Sequence, residues 1–173
     1  MLCEGLHKEM KKRFPGDSIE MEQAVGQIVT PNARGGPDNV TNVRADIVWQ
    51  KGAEQIVIDV SIVGPEAKIY MKFPTLSYIK QDGAALAMEL KKRRYYRKVT
   101  QPNHIPEASV IPFVVESTGR LGPAAFSFLN MVCGTQTCRR SAFLSECGLL
   151  CARYSGYMRV AGRDRIAANA GRW

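Results

Sequence analysis

The chain has 173 residues, of which 45% are apolar and 23% charged, and it carries a net charge of +8. That balance fits a soluble globular protein with one sizeable core, and no run of about 18 apolar residues offers a membrane span. The N-terminus, MLCEGLHKEMKKRF, lacks an apolar signal core, so the expectation is a nuclear or cytoplasmic protein that is not secreted.

Residues 4–14 read as a short helix that stops at Pro15-Gly16, and DSIEMEQAVGQIV as a strand with a bend at Gly26. TPNARGGPDNVTN, rich in Gly, Pro and Asn, reads as a loop. Strands over 43–49 and 55–63 follow, joined at Lys51-Gly52 as an antiparallel hairpin. After a variable connector, a helix is predicted from Ala84 to about Arg97, a strand over SVIPFVVES, and a helix opening at Pro123. A last helix over 141–153 precedes a basic tail. The expectation is a single α/β domain over 1–173 with a mixed sheet flanked by helices.

The strands carry the first chemical signal. Strict alternation puts Val43, Ala45, Ile47 and Trp49 on one face and Arg44, Asp46 and Val48 on the other. On the next strand Ile56, Ile58, Val60 and Ile62 share a face, leaving Asp59 and Ser61 opposite. Two adjacent strands can therefore present Asp46 and Asp59 at one side of the sheet. Paired carboxylates in a partly dehydrated place repel unless a cation lies between them, and a hard divalent ion such as Mg²⁺ or Mn²⁺ suits them. Such an ion activates water and offsets charge developing on a phosphate. The structural alternative is that each Asp pairs with an Arg or caps a turn.

On the helix from Ala84, the stripe Ala84, Ala87, Met88, Lys91 and Tyr95 is expected to face the sheet, with Lys92 on its flank. Lys91 is then the candidate to orient water or stabilise the transition state, unless it merely snorkels at the stripe's edge. The isoelectric point near 9.4 and the runs KKRF, KKRRYYRK, CRR and RVAGRDR point to a polyanionic partner, nucleic acid ahead of an anionic membrane surface.

The pieces RADIV, IDVSIVGP, DGAALAMELKKRRYY and IPFVVESTGRLGPAAFSFL, in this order from Arg44 to Asn130, resemble the restriction-like endonuclease domain of site-specific non-LTR retrotransposons. That domain belongs to the PD-(D/E)XK nuclease superfamily. GLHKEMKKRF resembles its first helix more weakly. The resemblance implies a restriction-endonuclease-like αβββαβ core over 1–130, with a helical extension and basic tail over 131–173. It also implies Mg²⁺- or Mn²⁺-dependent cleavage of DNA, with Asp46 and Asp59 as catalytic metal ligands and Lys91 as the catalytic lysine. The superfamily's usual lysine position, two residues after the second acid, is occupied by Ser61. In the retrotransposon branch the lysine looks displaced to the following helix, in a Lys-x-x-Lys-Tyr pattern that Lys91 to Tyr95 matches with Arg94 in place of the second lysine.

Lys92, Ser61, Glu116 and Tyr95 are further catalytic or DNA-contacting candidates, with Glu116 read more readily as a cap of the Gly-rich turn after it. Glu9 could reach a metal through water, though a solvated surface position suits it better. Arg44, Arg93, Arg94, Arg97, Lys98 and Arg120 are expected to hold phosphates of DNA, or of RNA. The alternative is a catalytically inactive nuclease-fold protein serving as a nucleic-acid-binding or ribonucleoprotein assembly subunit; a Holliday-junction resolvase is a third reading. Cys133, Cys138, Cys147 and Cys151, spaced by five, nine and four, lack the paired spacing of zinc ribbons and read as buried thiols.

Overall fold

The hairpin predicted around Lys51-Gly52 forms the centre of the sheet. Strand β2 (Asn39–Lys51) runs antiparallel to β3 (Glu54–Val63), from Lys51↔Glu54 to Ile47↔Ile58, and Gly52 takes the left-handed conformation, φ +59°, that the tight turn requires. β1 (Ser18–Thr30) pairs antiparallel with β2, and β4 (Val110–Glu116) lies parallel to β3, so the order is β1-β2-β3-β4. The computed structural model describes residues 2–64, 83–99 and 105–133, with 141, 142 and 145 besides. Most of the helix expected at 141–153, the basic tail and the cysteines at 138, 147 and 151 lie outside the described residues.

Helices cover both faces of this four-stranded mixed sheet. α1 (Leu2–Arg13) and α3 (Pro123–Cys133) pack on one face, where Leu6, Met10, Phe128 and Leu129 meet Ile47, Trp49, Ile58 and Phe113. Trp49 stacks on Phe14, ring centroids 4.6 Å apart, and its indole N–H donates to Asp17 at 2.8 Å, so the largest core side chain is satisfied at both ends. α2 (Gly83–Tyr96) lies in the crossover that a parallel β3-β4 pair requires and covers the other face. There Ala84, Ala85 and Met88 meet Val63 and Val114, and Tyr96 meets Val48, Val57 and Val110. Among the described residues, no helix is long and apolar enough to cross a membrane.

Two expectations fail locally. β2 begins at Asn39, inside the stretch read as a loop, because its start pairs with the end of β1 from Thr30↔Asn39 onward. Strict alternation also breaks within β2. Val43 and Ala45 pack with Val57 and Tyr96 on the α2 side, whereas Ile47 and Trp49 pack on the α1–α3 side. The strand changes face at Asp46.

Two buried glutamates tie the helices together. Glu116, at the end of β4, accepts the Ala85 amide in the first turn of α2 at 3.4 Å, and Glu89 on α2 accepts the Ala124 amide in the first turn of α3 at 3.0 Å. Each carboxylate takes up an N–H that a helix start leaves without an intrahelical partner, and each sits at the positive end of that helix. The chain approaches Glu89 so closely at Gly122 that a Cβ there would collide with the carboxylate.

Glu89→Ala should therefore cost about 1–3 kcal/mol in urea unfolding, the penalty of leaving the half-buried Ala124 amide unsatisfied. Gly122→Ala should also destabilise, by pushing the carboxylate off Ala124. In the double variant the collision has no partner, so its cost should fall short of the sum of the two single changes. Additive costs would show that Gly122 is constrained by something other than Glu89.

Candidate active site

The face change in β2 is built from three neighbouring irregularities. The β1–β2 ladder runs through Met21↔Ile47 and Gln23↔Ala45 but skips Glu22 and Asp46, and the β2–β3 ladder stops at Ile47↔Ile58, one step before Asp46 would meet Asp59. Glu22 takes a left-handed backbone, φ 53°, which costs a non-glycine residue about 1–3 kcal/mol. Its carbonyl is held by the Arg44 guanidinium, at 3.1 Å from Nε and 2.6 Å from Nη2. Asp46 is thus freed from both ladders. Its side chain turns toward β3, where Oδ2 accepts the Val60 amide at 2.6 Å in place of a strand carbonyl.

Asp59 stays in regular strand, buried, with Pro112 of β4 beside it. Proline has no N–H, so the β3–β4 ladder lacks one donor at this register. The Asp59 side chain faces α2, and its Oδ1 accepts the Lys92 ammonium at 2.7 Å. The two acids and the lysine open into a cavity of about 530 Å³, lined also by Arg44, Ser61, Met88, Lys91 and Tyr95.

Lys92, not Lys91, meets the carboxylates. The inward stripe of α2 is Ala84, Ala85, Glu89 and Tyr96, all buried, with Lys92 half-buried, whereas Lys91 and Tyr95 are exposed at the cavity's outer rim. The expected helical phase is off by one residue, and the reason is physical. Apolar residues surround this helix almost evenly, with Leu86 and Leu90 about 40% exposed while Glu89 is buried, so hydrophobicity does not define its inner face. The polar series Glu89, Lys92, Tyr96, spaced by three and four, marks that face instead.

The sequence reading also passed over Tyr96. Its ring is buried beneath the acids and its hydroxyl donates to the Arg44 carbonyl at 3.3 Å. Burial, then the charge of Asp59 and a hydrogen bond to it, pushes the Tyr96 phenol far above its ordinary value, so it remains a neutral donor. Burial likewise raises the Asp46 carboxyl above its ordinary 3.8; the Val60 amide opposes this, the Asp59 charge adds to it, and Lys92 offsets part. Cys3, whose thiol donates to the Asp46 carbonyl at 3.7 Å, is pushed up to about 11, first by burial and then by Asp46, so it is an unreactive thiol.

The remaining candidates divide between structure and surface. Glu116 caps α2, while its carbonyl and amide close the Gly-rich turn through Gly119 and Arg120. Arg120 lies 3.9 Å from the same carboxylate, away from the cavity. Arg93 donates to the carbonyls of Glu107 and Val110, and Arg97 pairs with Glu107, so both fasten α2 to the segment entering β4. Arg94 and Lys98 are exposed, Glu9 pairs with Lys12 at 2.7 Å, and Cys133 is a buried thiol.

Among the described residues, no three His, Cys, Asp or Glu side chains converge as a metal cage. A pair of carboxylates is what the cavity offers. That pair fits Mg²⁺ or Mn²⁺ better than zinc, because hard ions bound through one or two carboxylates fill their shell with water and substrate phosphate. Burial raises the Asp46 carboxyl and the Asp59 charge adds to it while Lys92 offsets only part, an electrostatic deficit that a bound cation would relieve. A scan against protein-family models returns no match, and a search of the curated proteins returns none.

A measurement of stability against pH reads this deficit. Because the native state holds the Asp46 proton above pH 3.8, where the unfolded chain releases it, the native state binds more protons there and loses stability as pH rises. Asp46→Asn keeps an oxygen for the Val60 amide and removes the charge. Without divalent metal it should melt above the wild type at pH 7, with the difference closing as pH falls through the raised native value of Asp46 and gone below about 4. A variant melting below the wild type at pH 7 would show that the lost attraction to the Lys92 charge outweighs the relieved burial and repulsion.

Proposed function

We propose that the chain is a metal-dependent DNA endonuclease of the PD-(D/E)XK type, resembling the restriction-like domains of non-LTR retrotransposons. The observation that carries this reading is the convergence of Asp46, Asp59 and Lys92 at the splayed end of β2 and β3, in a cavity open to solvent. The order of α1, three antiparallel strands, α2 and a parallel β4 supports it, since it matches the αβββαβ core that the resemblance implies.

In this reading Asp46 and Asp59 would hold a Mg²⁺ or Mn²⁺ ion, which would supply Lewis acidity toward a phosphodiester and help to activate water. Asp46 is aimed by the Val60 amide, and Asp59 by Lys92. Lys92 replaces the strand lysine that Ser61 lacks, with its ammonium placed to orient the attacking water and to neutralise charge developing on the phosphate. Lys91, Arg94 and Lys98 on the outer face of α2 supply phosphate contacts without reading sequence. The second reading, a silent nucleic-acid-binding subunit, draws on the absence of a third acidic ligand among the described residues.

Mg²⁺ or Mn²⁺ should raise the melting temperature of the wild type, and neither Asp46→Asn nor Asp59→Asn should respond. On plasmid DNA with either metal, both variants should lose nicking. Lys92→Ala should lose about 10²–10⁴-fold in single-turnover rate, whereas Lys91→Ala should weaken binding and leave the chemical step within about tenfold. Binding that neutralises three or four phosphates should weaken about 40–150-fold between roughly 50 and 200 mM salt. Salt-sensitive binding with no wild-type nicking in either metal would replace the nuclease by the silent subunit.

A further inference from the structure

The outer face of α2 has a composition that phosphate binding alone does not explain. Lys91, Arg94 and Tyr95 share one exposed arc of the helix, continued by Lys98 in the closing turn, where the Lys98 amide bonds to the Tyr95 carbonyl. The three cations pair with no carboxylate among the described residues, unlike Arg93 and Arg97, which are engaged within the fold. An aromatic ring stands among them. Tyr95 is 40% exposed and lines the same cavity as Asp46, Asp59 and Lys92.

The Tyr95 ring is also braced. It meets Tyr96 edge-to-face, with centroids 5.6 Å apart and planes at 86°, and Tyr96 is itself fixed by burial and by its bond to the Arg44 carbonyl. A partly exposed ring that is steadied from behind can receive a flat partner with little loss of side-chain entropy. Lys91 and Lys98 lie about 10 Å apart along the helix axis, on either side of Tyr95, a span that covers more than one phosphate of a single strand.

We propose that Tyr95 is a stacking platform for an unpaired DNA base beside the carboxylate cavity, with Lys91, Arg94 and Lys98 holding the flanking phosphates. The ligand class is therefore single-stranded DNA or an unpaired stretch within a duplex. In intact duplex both faces of an internal base are occupied by its neighbours, so an aromatic platform adds affinity only when the base is free. The placement of this strand at the cavity rests on the nuclease reading; the stacking itself does not.

The test uses the full chain in EDTA, where metal-dependent cleavage is off, with a single-stranded oligonucleotide carrying 2-aminopurine and the same sequence as duplex. Wild type should quench the probe in single strands. Tyr95→Ala should lose the quenching and about 5–100-fold in single-strand affinity while changing duplex affinity less than about twofold, and Tyr95→Phe should keep both. Equal losses on single strand and duplex, no loss on either, or no quenching by wild type would overturn the platform. Tighter Tyr95-dependent binding of RNA than of DNA of the same sequence would overturn the assignment to DNA. Because no step involves cleavage, failure of the nuclease assays would leave the stacking result standing. An unchanged melting temperature in Tyr95→Ala excludes unfolding as the cause of any loss.

Discussion

Two carboxylates that regular pairing would set directly opposite each other organise the central sheet. Asp46 and Asp59 occupy the first step beyond the last β2–β3 pair, and a regular ladder there would press two like charges together in a half-dry place. The sheet opens instead. β2 changes face, β1 accommodates it with a left-handed Glu22, Arg44 satisfies the displaced carbonyl, and Asp46 bonds to the Val60 amide through its side chain. The opening becomes the cavity. The strain at Glu22 and the break in alternation are both consequences of accommodating that pair.

Much of this was legible from residue order. The alternation of Ile56 to Ile62, the turn at Lys51-Gly52, the bend at Gly26 and the helix start at Pro123 each follow from local rules, and each matches the structure closely. The direction of the Asp59 side chain was legible for the same reason, since its strand is regular and alternation alone sets it. Asp46 was found by the same rule, although its strand breaks that rule at this very residue. An acid inside an apolar run pointed to the cavity more reliably than the face assignment of its neighbours did.

What was not legible lies on α2, and for a definite reason. Hydrophobic periodicity phases a helix when its polar residues face water, and here Glu89 and Lys92 face inward while Leu86 and Leu90 face outward. The inner polar groups have partners that only tertiary structure supplies: the Ala124 amide for Glu89 and Asp59 for Lys92. A one-residue error of phase exchanges Lys91 with Lys92 and Tyr95 with Tyr96, turning a rim cation and a rim aromatic into supposed core residues. The fold partners of Arg93 and Arg97 were not legible either, because the backbone carbonyls and Glu107 that engage them come from a segment ten or more residues away.

Placing the lysine on the crossover helix has a structural consequence that a strand lysine would not have. A side chain at position 61 would be fixed by the sheet alone, whereas Lys92 reaches Asp59 only while α2 stays docked. That docking rests on polar contacts as well as on small apolar ones: Glu116 at the first turn of α2, Glu89 toward α3, Arg93 and Arg97 toward the entry of β4, and Tyr96 against both acid-bearing strands. Each of these groups is satisfied only in one position of the helix, so together they specify its rotation where its evenly spread apolar residues do not. The charged groups inside α2 therefore do for its orientation what a hydrophobic stripe does for an ordinary amphipathic helix, and they leave its outer face free to carry the cations and the aromatic ring at the mouth of the cavity.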